Sequence, residues 1–304
     1  MTIPQSVPQA NTQAVSEPTH SQEERTALAK EERDIARKYV GKVPWVMVAW
    51  GLGNFALWLA LWPLTFMGII PLWLACVLST ISITLCYLPD HEAQHSIIAR
   101  SGEPLRWLNE TVGYLCTIPL VLPYKIAWFI HQQHHAHTND PDKDPDIGMK
   151  ADNWFGAALA SLRDRQPINK RAYSFTEIDA DDPKMKKAQF EAIILGVFYF
   201  GTLSALAWSG YALEAFFLWW LPRNIALTYI QVFLSWAPHF PMKETGRYKD
   251  TRAWKYWMGN FGALGMEYHL IHHLHPRIPL NKTPAAYREM KHILLQRGIT
   301  NDGL

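Results

Sequence analysis

Residues 43–89 contain no Asp, Glu, Lys, Arg or His over 47 consecutive positions. A run of 18 or more apolar residues is a transmembrane signal, so this stretch excludes an ordinary soluble domain. As one helix it would be about 70 Å long at 1.5 Å per residue, more than twice the ~30 Å hydrocarbon core of a bilayer. It must therefore fold back, and Pro63 and Pro71 lie where a turn belongs. Helices are expected at about 43–62 and 67–88. A second block, 192–242, carries only Glu214 and Arg223 as charges and divides near Trp208–Ala212 or slightly later. The mean hydropathy of −0.11 conceals both blocks. The expected fold is an all-α integral membrane protein, with four transmembrane helices in two hairpins and a cytoplasmic helical cap.

An even number of spans puts both termini and the 90–191 segment on one side. Residues 1–42 hold 6 Lys/Arg, 90–191 hold 12 and 243–304 hold 10, leaving only Arg223 elsewhere. Positive charge beside the spans (Arg37, Lys38, Lys42, Lys186, Lys187, Lys243, Arg247) marks that side as cytoplasmic. Residues 1–24 are polar and rich in Ser, Gln, Thr and Pro. They read as a disordered tail rather than a signal peptide. A surface helix is expected over 25–42, a membrane domain over 43–280, and a surface helix and tail over 281–304. Residues 112–130, with Pro119, Pro123 and Lys125, read as interfacial or half-inserted, and 151–163 as an amphipathic interfacial helix.

The net charge of +2 gives no reason to expect nucleic acid as a partner. Cys76, Cys86 and Cys116 all lie in apolar surroundings. They are too few for an all-cysteine iron–sulfur site and are not spaced as a zinc finger.

Eleven of the 13 histidines fall in four clusters: HEAQH (His91, His95), HQQHHAH (His131, His134, His135, His137), the single His239, and HLIHHLH (His269, His272, His273, His275). Positions i, i+3 and i+4 share one helix face. The pair His91/His95 and the triples His131/His134/His135 and His269/His272/His273 can therefore each aim at one point. Imidazole is the commonest metal ligand. Nine exceed the four that one zinc takes and suit two ions with open positions. His137 and His275 lie two residues past their triples, where a helical face carries them away from a metal. Supporting or loop roles are expected for them. HEAQH also matches H-E-x-x-H, the zinc protease pattern with Glu92 as general base. That reading leaves the other clusters without a purpose. A membrane protein that merely binds metal is a further alternative.

The three boxes HEAQH, HQQHH and HLIHH, separated by paired spans over about residues 43–280, resemble the membrane-bound di-iron fatty acid desaturase and hydroxylase superfamily, which includes carotenoid hydroxylases and ketolases. The resemblance implies iron ligands at His91, His95, His131, His134, His135, His239, His269, His272 and His273, with His239 as the isolated ligand upstream of the third box. HTNDPDKDPD (137–146) and EYHLIHHLHP (267–276) look especially like the carotenoid-modifying branch. Ser235, four residues before His239, departs from the Asn found in some acyl-CoA desaturases.

The implied chemistry is oxidation of an unactivated C–H bond by two Fe ions and O2, which no side chain can perform alone. Desaturation of a fatty acyl chain of a lipid is the expected outcome, and hydroxylation or ketolation of a carotenoid ring the alternative. Asp90, Asp140 and Glu267 are close enough in sequence to a box to support ligands by accepting an imidazole N–H. The chain shows no Gly-rich dinucleotide fingerprint after a strand, and HPRIP (275–279) does not look like a fused b5 module. A separate electron donor is therefore expected, a ferredoxin or similar protein reduced by NAD(P)H. The apolar substrate would come from the bilayer. Trp45, Trp50, Trp58, Trp62, Trp73, Trp219 and Trp220 read mostly as interfacial belts.

Overall fold

The computed structural model describes residues 20–165 and 181–304, and is mostly helical there, with almost no strand. The tail expected over 1–24 lies outside the described residues up to position 19. Helix α1 (Gln22–Arg37) starts earlier than expected because Ser21 and Glu24 form a reciprocal capping box. Next come α2 (Trp45–Phe66), α3 (Leu72–Gln94), α4 (Arg106–Leu120), α5 (Tyr124–His137) and α6 (Trp154–Asp164). They are followed by α7 (Pro183–Trp208), a helix running over 212–239 that is labelled α8, α9 (His269–Leu274) and α10 (Thr283–Gln296). Strands β1 (Arg252–Trp254) and β2 (Thr300–Asp302) pair in parallel, a pairing with no sequence signal.

Among the described residues, α2, α3 and α7 are long and apolar enough to cross a membrane; α4 and α5 qualify only together, bent by 98°. The first turn falls later than expected. Pro63 sits within the last turn of α2, and Gly68 (φ +70°) and Pro71, the N-cap of α3, make the reversal. α7 starts well before the apolar block because Asp182 caps it ahead of Pro183. The second turn lies where the sequence places it, between Trp208 and Ala212. Helix α8 carries π segments at Phe216–Trp220 and Ile230–Trp236, each two residues short of a proline, Pro222 and Pro238.

Proline removes the N–H that would bond the carbonyl four residues back, and in lipid every such carbonyl needs another donor. The structure supplies one at several sites. Pro89 frees the Leu85 carbonyl, which accepts from the Trp50 indole at 3.0 Å. Pro222 frees the Leu218 carbonyl, which accepts from Ser79 Oγ at 2.6 Å and Trp58 Nε1 at 3.3 Å. At the end of α4, the Pro119 carbonyl accepts from Trp219 Nε1 and the Leu120 carbonyl from Arg223 Nε. Trp58 and Trp219 are therefore buried struts, whereas Trp45, Trp73 and Trp220 face outward as a belt would. Gly51 brings α2 against α3, since a Cβ there would lie 2.7 Å from Pro89 Cβ.

The apolar core shared by α2, α3 and α8 (Met47, Trp58, Ile83, Leu88, Trp219, Ile230, Leu234) continues to Met266 and Leu280, which flank the third box. A second core joins Ile35 and Ala36 of α1 and Met290, Ile293 and Leu294 of α10 to Leu270, Ile271 and Leu274, the back of α9. The outer face of α7 is apolar and exposed, with Trp208 94% accessible. Such a continuous surface belongs in lipid.

Candidate metal centre

Each box sits where its helix ends. His91 and His95 close α3, and His131, His134 and His135 occupy the last two turns of α5. His239 ends α8, and His269, His272 and His273 make up one face of α9. The α4–α5 corner, turned by Val121 in the left-handed region (φ +52°) and stopped by Pro123, brings α5 across the end of α3.

The ring nitrogens of His91, His95, His131 and His272 all lie within 4.8 Å of one another, as do those of His134, His239 and His273. His135 Nε2 joins the first group, 3.1 Å from His131 Nε2 and 3.0 Å from His272 Nε2. His269 Nε2 joins the second, 3.2 Å from His239 Nε2 and 3.1 Å from His273 Nε2. All nine residues expected from the sequence are thus brought together as two adjacent groups. Neither group, among the described residues, contains a carboxylate or thiolate.

The spacing tests whether a metal fits. Two nitrogens each about 2.1 Å from one ion are about 3.0 Å apart at a right angle and about 3.4 Å apart at the tetrahedral angle. The closest Nε2 pairs lie in that range or just below it, from 2.8 Å (His95–His131) to 3.3 Å (His134–His239), with one ring nitrogen from each of His91, His95, His131 and His272, and from each of His134, His239 and His273, within 4.8 Å of its fellows. A neutral imidazole has a single N–H. Where Nδ1 carries it, the Nε2 lone pairs face each other and repel unless a cation lies between them. The Nδ1 atom of His134 is 2.9 Å from Asp144 Oδ1, and that of His273 is 3.4 Å from Thr138 Oγ1. Burial, reinforced by the neighbouring rings, holds His269, His272 and His273 well below the ordinary histidine pKa. That direction favours the neutral form a ligand needs. An all-imidazole donor set suits iron, zinc, copper or nickel.

His137 stays outside both groups. His275 turns away from them, with Nε2 2.9 Å from Glu32 Oε1. The three carboxylates expected to hold imidazoles are occupied elsewhere. Asp90 Oδ2 accepts from Gln94 Nε2, Asp140 Oδ1 from the amides of Asp142 and Lys143, and Glu267 Oε1 from the Tyr256 amide. The carboxylate that does meet a box is Asp144. Its Oδ2 accepts from the Asn139 amide at 2.8 Å, while its Oδ1 faces His134 and also accepts from the Asp146 amide. Burial alone would raise its pKa, but His134 and those amides outweigh burial and lower it. The DPDKDPD run reads as a turn, and an Asp before Pro is an ordinary N-cap; that it also reaches His134, ten residues back, has no local signal. Partners of this kind typically change metal affinity by about 10–100-fold. Asp144→Ala is expected to weaken metal binding by that amount in a chelator competition, and His137→Ala by less than about twofold.

Glu92, the would-be protease base, points elsewhere, its Oε1 accepting from the Leu280 amide at 2.8 Å. Beside the second group lies a cavity of about 170 Å³, lined by His134, His239, Asp144, Ser235, Trp236 and Phe240. Ser235 Oγ accepts from Gln231 Nε2 at 3.1 Å.

Residues 67–301 match the model of a family described as fatty acid desaturase. Among curated proteins, the chain is similar to an sn-1 acyl-lipid omega-3 desaturase (ferredoxin) of Nostoc sp. (strain 36), with 23% identity over 62% of this chain and 55% of that protein. It is also similar to the fatty acid conjugase FAC2 B of Calendula officinalis, 23% identical over 69% of this chain and 65% of that one. A dihydrorhizobitoxine desaturase of Bradyrhizobium elkanii is 27% identical over 62% and 59%. The chain thus spans less than two thirds of the length of each of these relatives.

Proposed function

Because this chain belongs to the fatty acid desaturase family, a family of iron-dependent oxidoreductases, we propose that it is an integral membrane di-iron enzyme that desaturates a fatty acyl chain of a lipid. The observation that carries this reading is the convergence of nine imidazole nitrogens from four distant segments as two adjacent groups. One ion would be held by His91, His95, His131, His135 and His272, and the other by His134, His239, His269 and His273. Bound iron supplies the oxidising power toward a C–H bond that side chains lack.

The protein's own part is to bring the donors together, to fix the His134 ring through Asp144, and to limit water by enclosing both groups in buried and half-buried surroundings. The balance is that the acyl chain loses two hydrogens, a donor adds two electrons, and O2 takes up all four electrons and four protons to leave two waters. The name of the Nostoc relative includes ferredoxin, which supports a separate electron donor. The exposed apolar surface of α7 supports a substrate drawn from the bilayer. If the 212–239 helix, α8, is counted as a fourth span beside α2, α3 and α7, the Lys/Arg distribution supports termini and a metal site on the cytoplasmic side. The desaturase and conjugase names of the relatives favour an acyl chain over a carotenoid.

Expression in a host that makes both acyl lipids and β-carotene tests this. A new acyl double bond, with pigments unchanged, is expected. Oxygenated pigments, or unaltered lipids from an iron-loaded enzyme given a competent donor, would overturn it. Metal analysis is expected to give about two irons per chain; one zinc would point to the protease instead.

A further inference from the structure

The family match begins at residue 67, so α1 lies outside it. Yet α1 carries a carboxylate buried beside the third histidine box. Glu32 is 1% exposed and takes three donors: Tyr248 Oη at 2.7 Å, His275 Nε2 at 2.9 Å and Arg247 Nη2 at 3.0 Å. Arg247 Nη2 also donates to the Leu274 carbonyl, the last residue of α9, at 3.0 Å. A basic side chain on a terminal carbonyl caps a helix from outside. His275 is the residue that follows this helix. Glu32 thus grips α9 twice at one end: through its C-cap residue, and through the guanidinium bonded to its last carbonyl.

We propose that Glu32 of α1 is a positioning residue for the third box, holding His269, His272 and His273 in register by clamping the end of the helix that bears them. A helix of six residues has too few internal bonds to stand alone and must be fixed by its neighbours. Ile35 and Ala36, on the same helix as Glu32, pack with the cluster formed by Leu270, Ile271 and Leu274. Burial pushes the Glu32 carboxyl up, but bonds from His275 and Tyr248 and the charge of Arg247 outweigh it and bring it down to about 2. The carboxylate is therefore ionised at neutral pH, and its removal leaves Arg247 and His275 without their anion.

The test uses the full-length protein, metal-free and iron-loaded, with Glu32→Ala and the milder Glu32→Gln. In the metal-free protein, amides of residues 269–275 are expected to exchange at least about tenfold faster in the Ala variant. Amides of α2 and α3 should keep their protection. Glu32→Gln keeps one acceptor and should fall between. Iron affinity should drop by about tenfold, and Glu289→Ala, in α10, where it pairs with the exposed Lys38 just past α1, should change neither readout. Unchanged exchange at 269–275, or equal acceleration in every helix, overturns the proposal. The iron readout rests on the imidazoles being ligands and the exchange readout does not, so a failure of either reading can be told from a failure of the other.

Discussion

Replacing His272 by Ala is expected to abolish oxidation of the substrate and to leave the spans folded. His272 is fully buried, and its Nε2 lies 3.0 Å from His135 Nε2 within the first imidazole group. Loss of a supporting partner alone costs about 10–100-fold in affinity or activity. Loss of a direct donor should exceed that, so activity should fall by more than about a hundredfold. Iron should fall from about two per chain to about one or fewer. His137→Ala, outside both groups, should keep activity and iron within about twofold. The parent's metal content also separates the reaction classes, because a protease built on His91, Glu92 and His95 needs one zinc rather than two irons. A His272→Ala enzyme that retains both irons and its activity would sink the di-iron reading.

The parts of this protein legible in its sequence are those governed by local periodicity or by solvent. The absence of charge from 43–89 dictates membrane-length helices because charged groups are costly in hydrocarbon. The i, i+3, i+4 histidines point together because a helix forces them to. Contacts closed over long separations were not legible. Glu32 meets His275 across 243 positions, and Leu218 receives Ser79 across 139. Nearness along the chain misleads in the same way. Asp90 precedes His91, but one residue is a turn of about 100° around a helix, and its carboxylate takes Gln94 instead. Asp144, ten residues beyond His134, folds back through a turn to reach it. Prolines within the helices carry a hidden consequence as well. Each announces an open carbonyl, and the tryptophans read as a membrane belt include the donors that close Leu85 and Leu218.

The second large effect is expected at Gly113, and its sign is the point. Gly in a helix interior is about 0.5–1 kcal/mol less favourable than Ala, so propensity alone predicts that Gly113→Ala stabilises α4. Packing predicts the reverse, because a Cβ there would lie 2.4 Å from Cε2 and Cζ of Tyr124. That ring cannot retreat freely. Tyr124 is the first residue of α5, and its hydroxyl donates to the Ala93 carbonyl at 3.1 Å and accepts from Asn109 Nδ2 at 3.3 Å. Ala93 lies between His91 and His95. The closeness of Gly113 to Tyr124 therefore fixes how near the start of α5, and with it the second box, stands to the first. Overpacking of this kind costs about 1–3 kcal/mol and occasionally more, enough to reverse the propensity gain. Gly113→Ala is expected to lower the thermal midpoint in detergent and to reduce bound iron; Gly113→Val should fail to fold. Adding Tyr124→Leu to Gly113→Ala should recover part of the loss by removing the ring, whereas Tyr124→Phe, which keeps it, should not. If Gly113→Ala proved as stable as the parent and bound as much iron, the close contact between α4 and α5 could not be what sets the distance between the first two boxes.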